Sequence, residues 1–230
     1  MKKFSIVLPC LNELENLKLL IIEIKKKYKK YKIEFVIVDD NSTDGTEAFF
    51  KKKIPNVKYI KRTKYLSLGK SVELGIKNSA YSKILVMDAD FNHTPRDIRK
   101  FLKYISNKEY KFISGSRFLI GGFSVNLQRH ILSKLYSYIL SKIISVNLTE
   151  LLSGFFLIDK SIFLKLKQKD KIFCGYGDYY VRLLISVSNM REKIKEVPVK
   201  YGKRKFGQSK SKFISMAFSY FYKSIKFKYF

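Results

Sequence analysis

The sequence predicts an α/β domain built on a mostly parallel sheet flanked by helices. Three observations point there. Short apolar runs alternate with helix-like spans through the first half; polar clusters follow directly on those runs; and neither a Pro/Gly/Ser linker nor an internal repeat divides the chain. Strand–helix alternation places helices on both faces of a parallel sheet. Ligands of such sheets gather at the carboxyl ends of the strands.

In chain order, Phe4–Leu8, Glu34–Val38, Lys58–Lys61, Lys83–Met87 and Lys111–Ser114 read as strands. The spans Glu13–Lys30, Thr43–Lys53, Lys70–Ser79 and Pro95–Ser106 read as helices. Pro95 suits a first turn, where its missing N–H costs nothing. Past Ser114 the pattern loosens. His130–Leu148 carries Ile131, Leu132, Leu135, Ile139, Ile143 and Val146 at helical spacing with lysines between them. That pattern fits either a packed core helix or an interfacial one. Phe213–Phe230 is aromatic and basic and is expected as a membrane-proximal tail, after a catalytic domain spanning 1–212.

The 230 residues carry 47 Lys and Arg against 19 Asp and Glu, a formal charge of +28. Such a field favours polyanions: nucleic acid, an anionic bilayer or phosphorylated small molecules. A hydrophobic content of 46% argues against disorder. Cys10 and Cys174 cannot form a disulfide framework, and with two histidines a zinc site is not expected. The first apolar run is short, meets Asn12-Glu13 and lacks a small-residue cleavage site, so it reads as a buried strand rather than a signal peptide. No stretch approaches the roughly 20 apolar residues of a spanning helix. A cytoplasmic protein attached peripherally to a membrane is the expectation.

Three polar clusters carry the chemistry. The first strand ends in Pro9-Cys-Leu-Asn-Glu13 and the second in Val38-Asp39-Asp40-Asn41-Ser42. Ser42 or Asn41 there can cap the next helix, but capping needs no adjacent carboxylates, and an acid at that place can bond a nucleobase or ribose. The fourth strand ends in Met87-Asp88-Ala89-Asp90, followed by Phe91-Asn92-His93. Carboxylates two residues apart converge on one side of an extended chain and repel unless a cation joins them. A hard divalent ion shared by Asp90, Asn92 and a diphosphate fits that pair. Alone, the pair fits capping as well; beside the other two clusters the metal is preferred.

Pro-x-x-Asn-Glu, Val-Asp-Asp-Asn-Ser-x-Asp-Gly, Leu68-Gly69-Lys70, Met-Asp-Ala-Asp, Gly115-Ser-Arg117, Ser153-Gly-Phe155 and Glu196-Val-Pro-Val-x-Tyr-Gly-Lys-Arg204-x-x-Gly-x-Ser-Lys210 occur in that order. Over about residues 4–212 this set resembles the family-2 glycosyltransferases, and within them the polyprenyl (dolichyl) phosphate mannosyltransferases. The resemblance implies the GT-A fold and a nucleoside pocket lined by Pro9, Leu11, Glu13, Val38 and Asp40. It also implies that Asp88, Ala89 and Asp90 form the metal-and-ribose motif, holding Mg2+ or Mn2+ with Asn92 in a neighbouring ligand position. Arg117, Arg129, Arg204 and Lys210 are similar to the cations that hold donor diphosphate and acceptor phosphate. Arg117 and Arg129 fall to the acceptor phosphate; Arg204 and Lys210 fall to the nucleotide sugar; and Asp90, Arg117, Arg204 and Lys210 form the catalytic set. Leu11 replaces a tyrosine common in relatives, and 155–159 and 175–182 also depart from the pattern.

The implied reaction is inverting transfer of a mannose-like hexose, as from GDP-mannose, to a polyprenyl phosphate at an anionic membrane surface, leaving room for a separate membrane subunit. A phosphate with a second pKa of about 6 is already ionised near neutrality and needs no general base. A sugar-hydroxyl acceptor would need one, and Asp178 is the candidate. A nucleic-acid partner is not expected: no recognised motif is present, and the paired aspartates would be unexplained.

Overall fold

The computed structural model describes residues 1–207 and 213–230. β1 (Lys3–Cys10) is buried at every position after the first and pairs in parallel with β2 (Lys32–Asp39), in register from Lys3↔Lys32 to Cys10↔Asp39. Continuous apolar runs of this kind belong to strands covered on both faces. Between them α1 (Leu14–Lys27) buries Leu17, Leu20, Ile21 and Ile24, a one-sided helical stripe. Lys25, Lys26 and Lys27 occupy its last turn, where the helix dipole favours cations.

The chain continues through α2 (Thr46–Phe50), β3 (Val57–Lys61), α3 (Leu68–Asn78) and β4 (Lys83–Val86). A 3-10 turn at Pro95–Asp97 runs into α4 (Ile98–Leu102), followed by β5 (Phe112–Ser116), β6 (Phe123–Ser124) and α5 (Leu127–Ile144). Then come β7 (Phe156–Asp159), α6 (Lys160–Lys165), α7 (Lys169–Ile172), α8 (Asp178–Asn189), β8 (Ile194–Pro198), β9 (Lys200–Tyr201) and α9 (Phe213–Tyr229). The main sheet runs β3-β2-β1-β4-β7-β5-β8, with β7 antiparallel to both neighbours; β6 and β9 pair separately.

Alternate residues of β1 feed opposite faces, as a strand requires. Phe4, Ile6 and Leu8 join Leu17, Leu20 and Phe101 on one side, while Val7 meets Val36, Val72 and Ile76 on the other. α3 lies close because of Gly75, where an added Cβ would fall 2.3 Å from Val7 Cγ1. That close approach presses the helix that follows the nucleoside-side strands onto the sheet.

Glu13–Lys30 forms a helix over Leu14–Lys27, and two other expected helices are shortened further. In 43–53 the first turn is lost because Asp44 folds back, accepting from Thr46 N at 3.1 Å and Leu14 N at 2.9 Å, with Gly45 at φ +87°. The 95–106 span divides into the 3-10 turn and α4. α5 begins three residues before His130, since the Asn126 side chain caps Arg129 N at 2.9 Å. The 213–230 segment is a helix lying against α5 and α8, with Phe221, Ile225 and Phe227 packed on the second core. Among the described residues no helix is long and apolar enough to cross a membrane.

Candidate functional site

The carboxyl ends of β1, β2 and β4 converge on a cavity of about 510 Å3. Pro9 sits near the end of β1 and Leu11 and Glu13 follow the strand, Asp40 follows β2, and Asp88, Ala89, Asp90 and Asn92 follow β4. Arg117, Arg129 and Arg204 line the same space. The sequence-predicted residues are thus brought together, with two exceptions. Val38 is fully buried in the core beside Val7 and Val36, and is not among the described lining residues. It lies one register step inside the strand end and supports the pocket without facing it. Lys210 lies outside the described residues.

The adjacent acids on β2 divide their work. Asp39 is fully buried and accepts from Ser42 N at 3.0 Å, Ser42 Oγ at 2.5 Å and Tyr59 OH at 2.5 Å, which shapes the turn. Asp40 faces the cavity, where Oδ1 accepts from Arg62 Nη1 at 2.6 Å and Ser71 Oγ at 2.5 Å. Burial raises the Asp40 carboxyl despite these bonds. Arg62 gave no sequence signal, being one cation among 47.

At the end of β4 the Asp88 carboxyl, its side chain 42% exposed, is raised by desolvation against the pull of Arg204. Asp90 is raised by burial and by the charge of Asp88. Two acids held this way are electrostatically short of a cation. Arg204 supplies part of it: Nη2 donates to Asp90 Oδ2 at 2.6 Å and Nη1 to Glu13 Oε1 at 2.6 Å. Asn16 Nδ2 ties the same loop down through Phe206 O at 3.1 Å and Glu13 Oε2 at 2.6 Å. Asn92 donates to Asp90 from Nδ2 at 2.7 Å and from its backbone at 2.9 Å. The donor set is all oxygen, which suits a hard divalent ion. No group of three or more His, Cys, Asp or Glu among the described residues converges to hold a metal. An ion there would meet the carboxylates of Asp88 and Asp90 and would need water and ligand oxygens to complete its shell.

Across the cavity Arg117 is buried and paired with Glu150: Nε donates at 2.7 Å, Nη2 also contacts Oε1, and the Arg117 backbone N–H donates to Oε2 at 2.5 Å. Tyr201 lies under the guanidinium, with Cζ 4.3 Å from the ring centroid. Glu150, a lone acid between Leu148 and Leu151-Leu152, was a readable signal that sequence reasoning missed. Asp178, the candidate base, begins α8 but is committed to Arg182 Nη1 at 2.7 Å, with both side chains buried. It is not among the described lining residues, although Tyr176, Gly177, Tyr179 and Tyr180 are. The opposite wall comes from α9, whose Tyr220 OH accepts from Gly177 N at 3.0 Å and which also contributes Met216.

Comparison with known proteins finds sequence relatives and a neighbour in fold. A dolichol-phosphate mannosyltransferase of Pyrococcus furiosus is 31% identical over 217 residues, covering 91% of this chain and 59% of the relative. An undecaprenyl-phosphate mannosyltransferase of Micrococcus luteus is 27% identical over 213 residues, covering 89% of this chain and 85% of the relative. The chain thus spans about three fifths of the Pyrococcus protein. Glucosyl-3-phosphoglycerate synthase of Mycobacterium tuberculosis, solved with Mn2+, UDP and glucosyl-3-phosphoglycerate, superposes with a TM-score of 0.74 at 14% identity. That match covers 99% of this chain and 80% of the synthase and shows the GT-A fold. Residues 5–167 match the family described as Glycosyl transferase family 2. Because that span takes in all three strand ends that deliver the cavity's carboxylates, the chain belongs to glycosyltransferase family 2.

Proposed function

We propose that the chain transfers a hexose from a nucleotide sugar to a polyprenyl phosphate at a membrane surface, with inversion and with a divalent cation. The observation that carries this reading is one cavity lined by Asp40, Asp88 and Asp90 together with Arg117, Arg129 and Arg204. A diphosphate donor and a phosphate acceptor both need that charge pattern. Two relatives named as polyprenyl-phosphate mannosyltransferases support the acceptor class and a mannosyl donor such as GDP-mannose. The metal-bound synthase supports Mn2+ or Mg2+.

In this mechanism an oxygen of the lipid phosphate attacks the anomeric carbon. The bond from that carbon to the diphosphate breaks, and the nucleoside diphosphate leaves with the electron pair. No proton has to be removed, in keeping with the burial of Asp178 against Arg182. Asp88 and Asp90 would hold the cation, which when bound neutralises charge on the diphosphate. Glu13 orients Arg204 toward the leaving group, and Arg117 and Arg129 draw the acceptor phosphate. Asp40, fixed by Arg62 and Ser71, presents its remaining oxygen to the nucleoside.

α5 supports the membrane part. Its buried face carries Ser133 and Ser137 with Leu140 and Ile144, while Leu127, Ile131, Leu135 and Tyr138 are exposed. A helix that turns serines inward and leucines outward has a second apolar surrounding to satisfy. Its first turn, at Asn126 and Arg129, lines the cavity, so a lipid headgroup can enter while the tail stays in the bilayer. The net charge of +28 draws anionic lipid to it. The test is a donor screen with polyprenyl phosphate and Mn2+ or Mg2+, reading released nucleoside diphosphate. No release with any donor, from folded protein on anionic vesicles, would refute the proposal.

A further inference from the structure

We propose that His93 is a positioning residue that braces the two halves of the site, fixing the Asp88 strand end on one side and the Arg117 platform on the other. The proposal rests on the reading of the cavity as a donor–acceptor site.

His93 is completely buried and stacks on Phe155 at 4.6 Å with the rings 15° apart. Its Nδ1 accepts from Asp88 N at 2.8 Å. That bond fixes the tautomer, because the accepting nitrogen carries no proton and Nε2 must carry it. Nε2 lies 2.9 Å from Tyr201 OH and 3.1 Å from Ser153 O. Tyr201 in turn donates to Ser153 O at 2.7 Å, so its hydroxyl oxygen is left to accept from His93. The protons then run from Asp88 N–H to His93, from His93 Nε2–H to Tyr201 OH and Ser153 O, and from Tyr201 OH to Ser153 O.

The ring of Tyr201 is the surface on which the Arg117 guanidinium lies. Gly202 locks the register: its N–H donates to Asn92 O at 3.0 Å, and an added Cβ would fall 2.8 Å from Phe91 O. A stacked aromatic alone would serve packing equally well. The two directed hydrogen bonds are what packing does not require, and each leads to one half of the site.

The experiment uses the full chain, with Mn2+ and GDP or UDP as donor-side probes and inorganic phosphate as the acceptor-side probe. Asparagine places an acceptor near the position of Nδ1, and glutamine places a donor near that of Nε2. The expected results are a roughly 10- to 100-fold loss of Mn2+–nucleotide affinity in His93→Phe, substantial recovery in His93→Asn, and little recovery in His93→Gln. Tyr201→Phe, which keeps the ring under Arg117, should weaken phosphate binding while leaving Mn2+–nucleotide affinity within about threefold. Thermal melts identify the folded variants. If His93→Phe does not fold, the Asn–Gln contrast decides. Equal affinities in Asn and Gln, or wild-type affinity in a folded His93→Phe, overturn the brace. A wild type that binds Mn2+ with neither nucleotide overturns the transferase reading and the brace with it.

Discussion

Arg204 holds Asp90 and Glu13 at once, donating to each carboxylate at 2.6 Å. In this arrangement the guanidinium occupies an aspartate oxygen that a divalent ion would also claim. On the proposed function, loading the site would replace one cation by another and free Arg204 toward the diphosphate.

Arg204→Ala should bind Mn2+ more tightly than wild type when no nucleotide is present, yet turn over more slowly. The expected rate cost is about 2–4 kcal/mol in kcat, the scale for losing one preorganised donor to a developing anion. Titration of Mn2+ by electron paramagnetic resonance, with and without nucleotide, checks the first part. Weaker Mn2+ binding in the variant would refute the exchange.

Asp90→Ala should abolish turnover and leave a cooperative unfolding transition, because Asp90 supports Arg204 and the Asn92 turn but no core packing. Excess chelator should silence the wild type in the same way. Full activity in EDTA would remove the metal from the mechanism.

Asp178→Asn separates catalysis from stability. The Asp178–Arg182 pair is buried, and Arg182 also donates to Ile172 O at 3.1 Å and to Cys174 O. Removing the negative partner leaves a buried cation, at a cost on the order of 3–5 kcal/mol. A chain of this size loses about 2–4 °C in Tm per kcal/mol. Calorimetry should show the drop, while kcat at a permissive temperature should stay near wild type. A loss of about 10²–10⁴-fold in kcat with the structure intact would instead make Asp178 a base for a hydroxyl acceptor.

Ile131→Lys with Leu135→Lys should reduce sedimentation with anionic vesicles without lowering Tm, since both side chains face outward. Wild-type binding should weaken with added salt, because Debye screening removes the electrostatic share. Turnover of a lipid acceptor should fall more than affinity for the nucleotide. Unchanged vesicle binding would move the contact away from α5. Truncating α9 tests this less well, because Phe221, Ile225 and Phe227 pack against the core and Met216 and Tyr220 line the cavity.

The sequence by itself determined the sheet's first half and most of the cavity's contents. Buried parallel strands demand unbroken apolar runs, and acids placed just past such runs must emerge at the carboxyl edge; Asp40, Asp88 and Asp90 were therefore legible. β7 and α8 were not. β7 is four residues long and shows no period, and α8 buries nearly every residue, Asp178 and Arg182 included, so its polar stripe does not mark an exposed face. Pairing across long separations was likewise decided only in three dimensions. Nothing local assigns Arg117 to Glu150, Arg204 to Asp90 across 114 residues, or His93 to Tyr201 across 108. The same holds for Val38, which an ordered motif placed in the pocket and the alternation of β2 turned into the core. Composition states which charges a chain carries; only packing determines which of them meet.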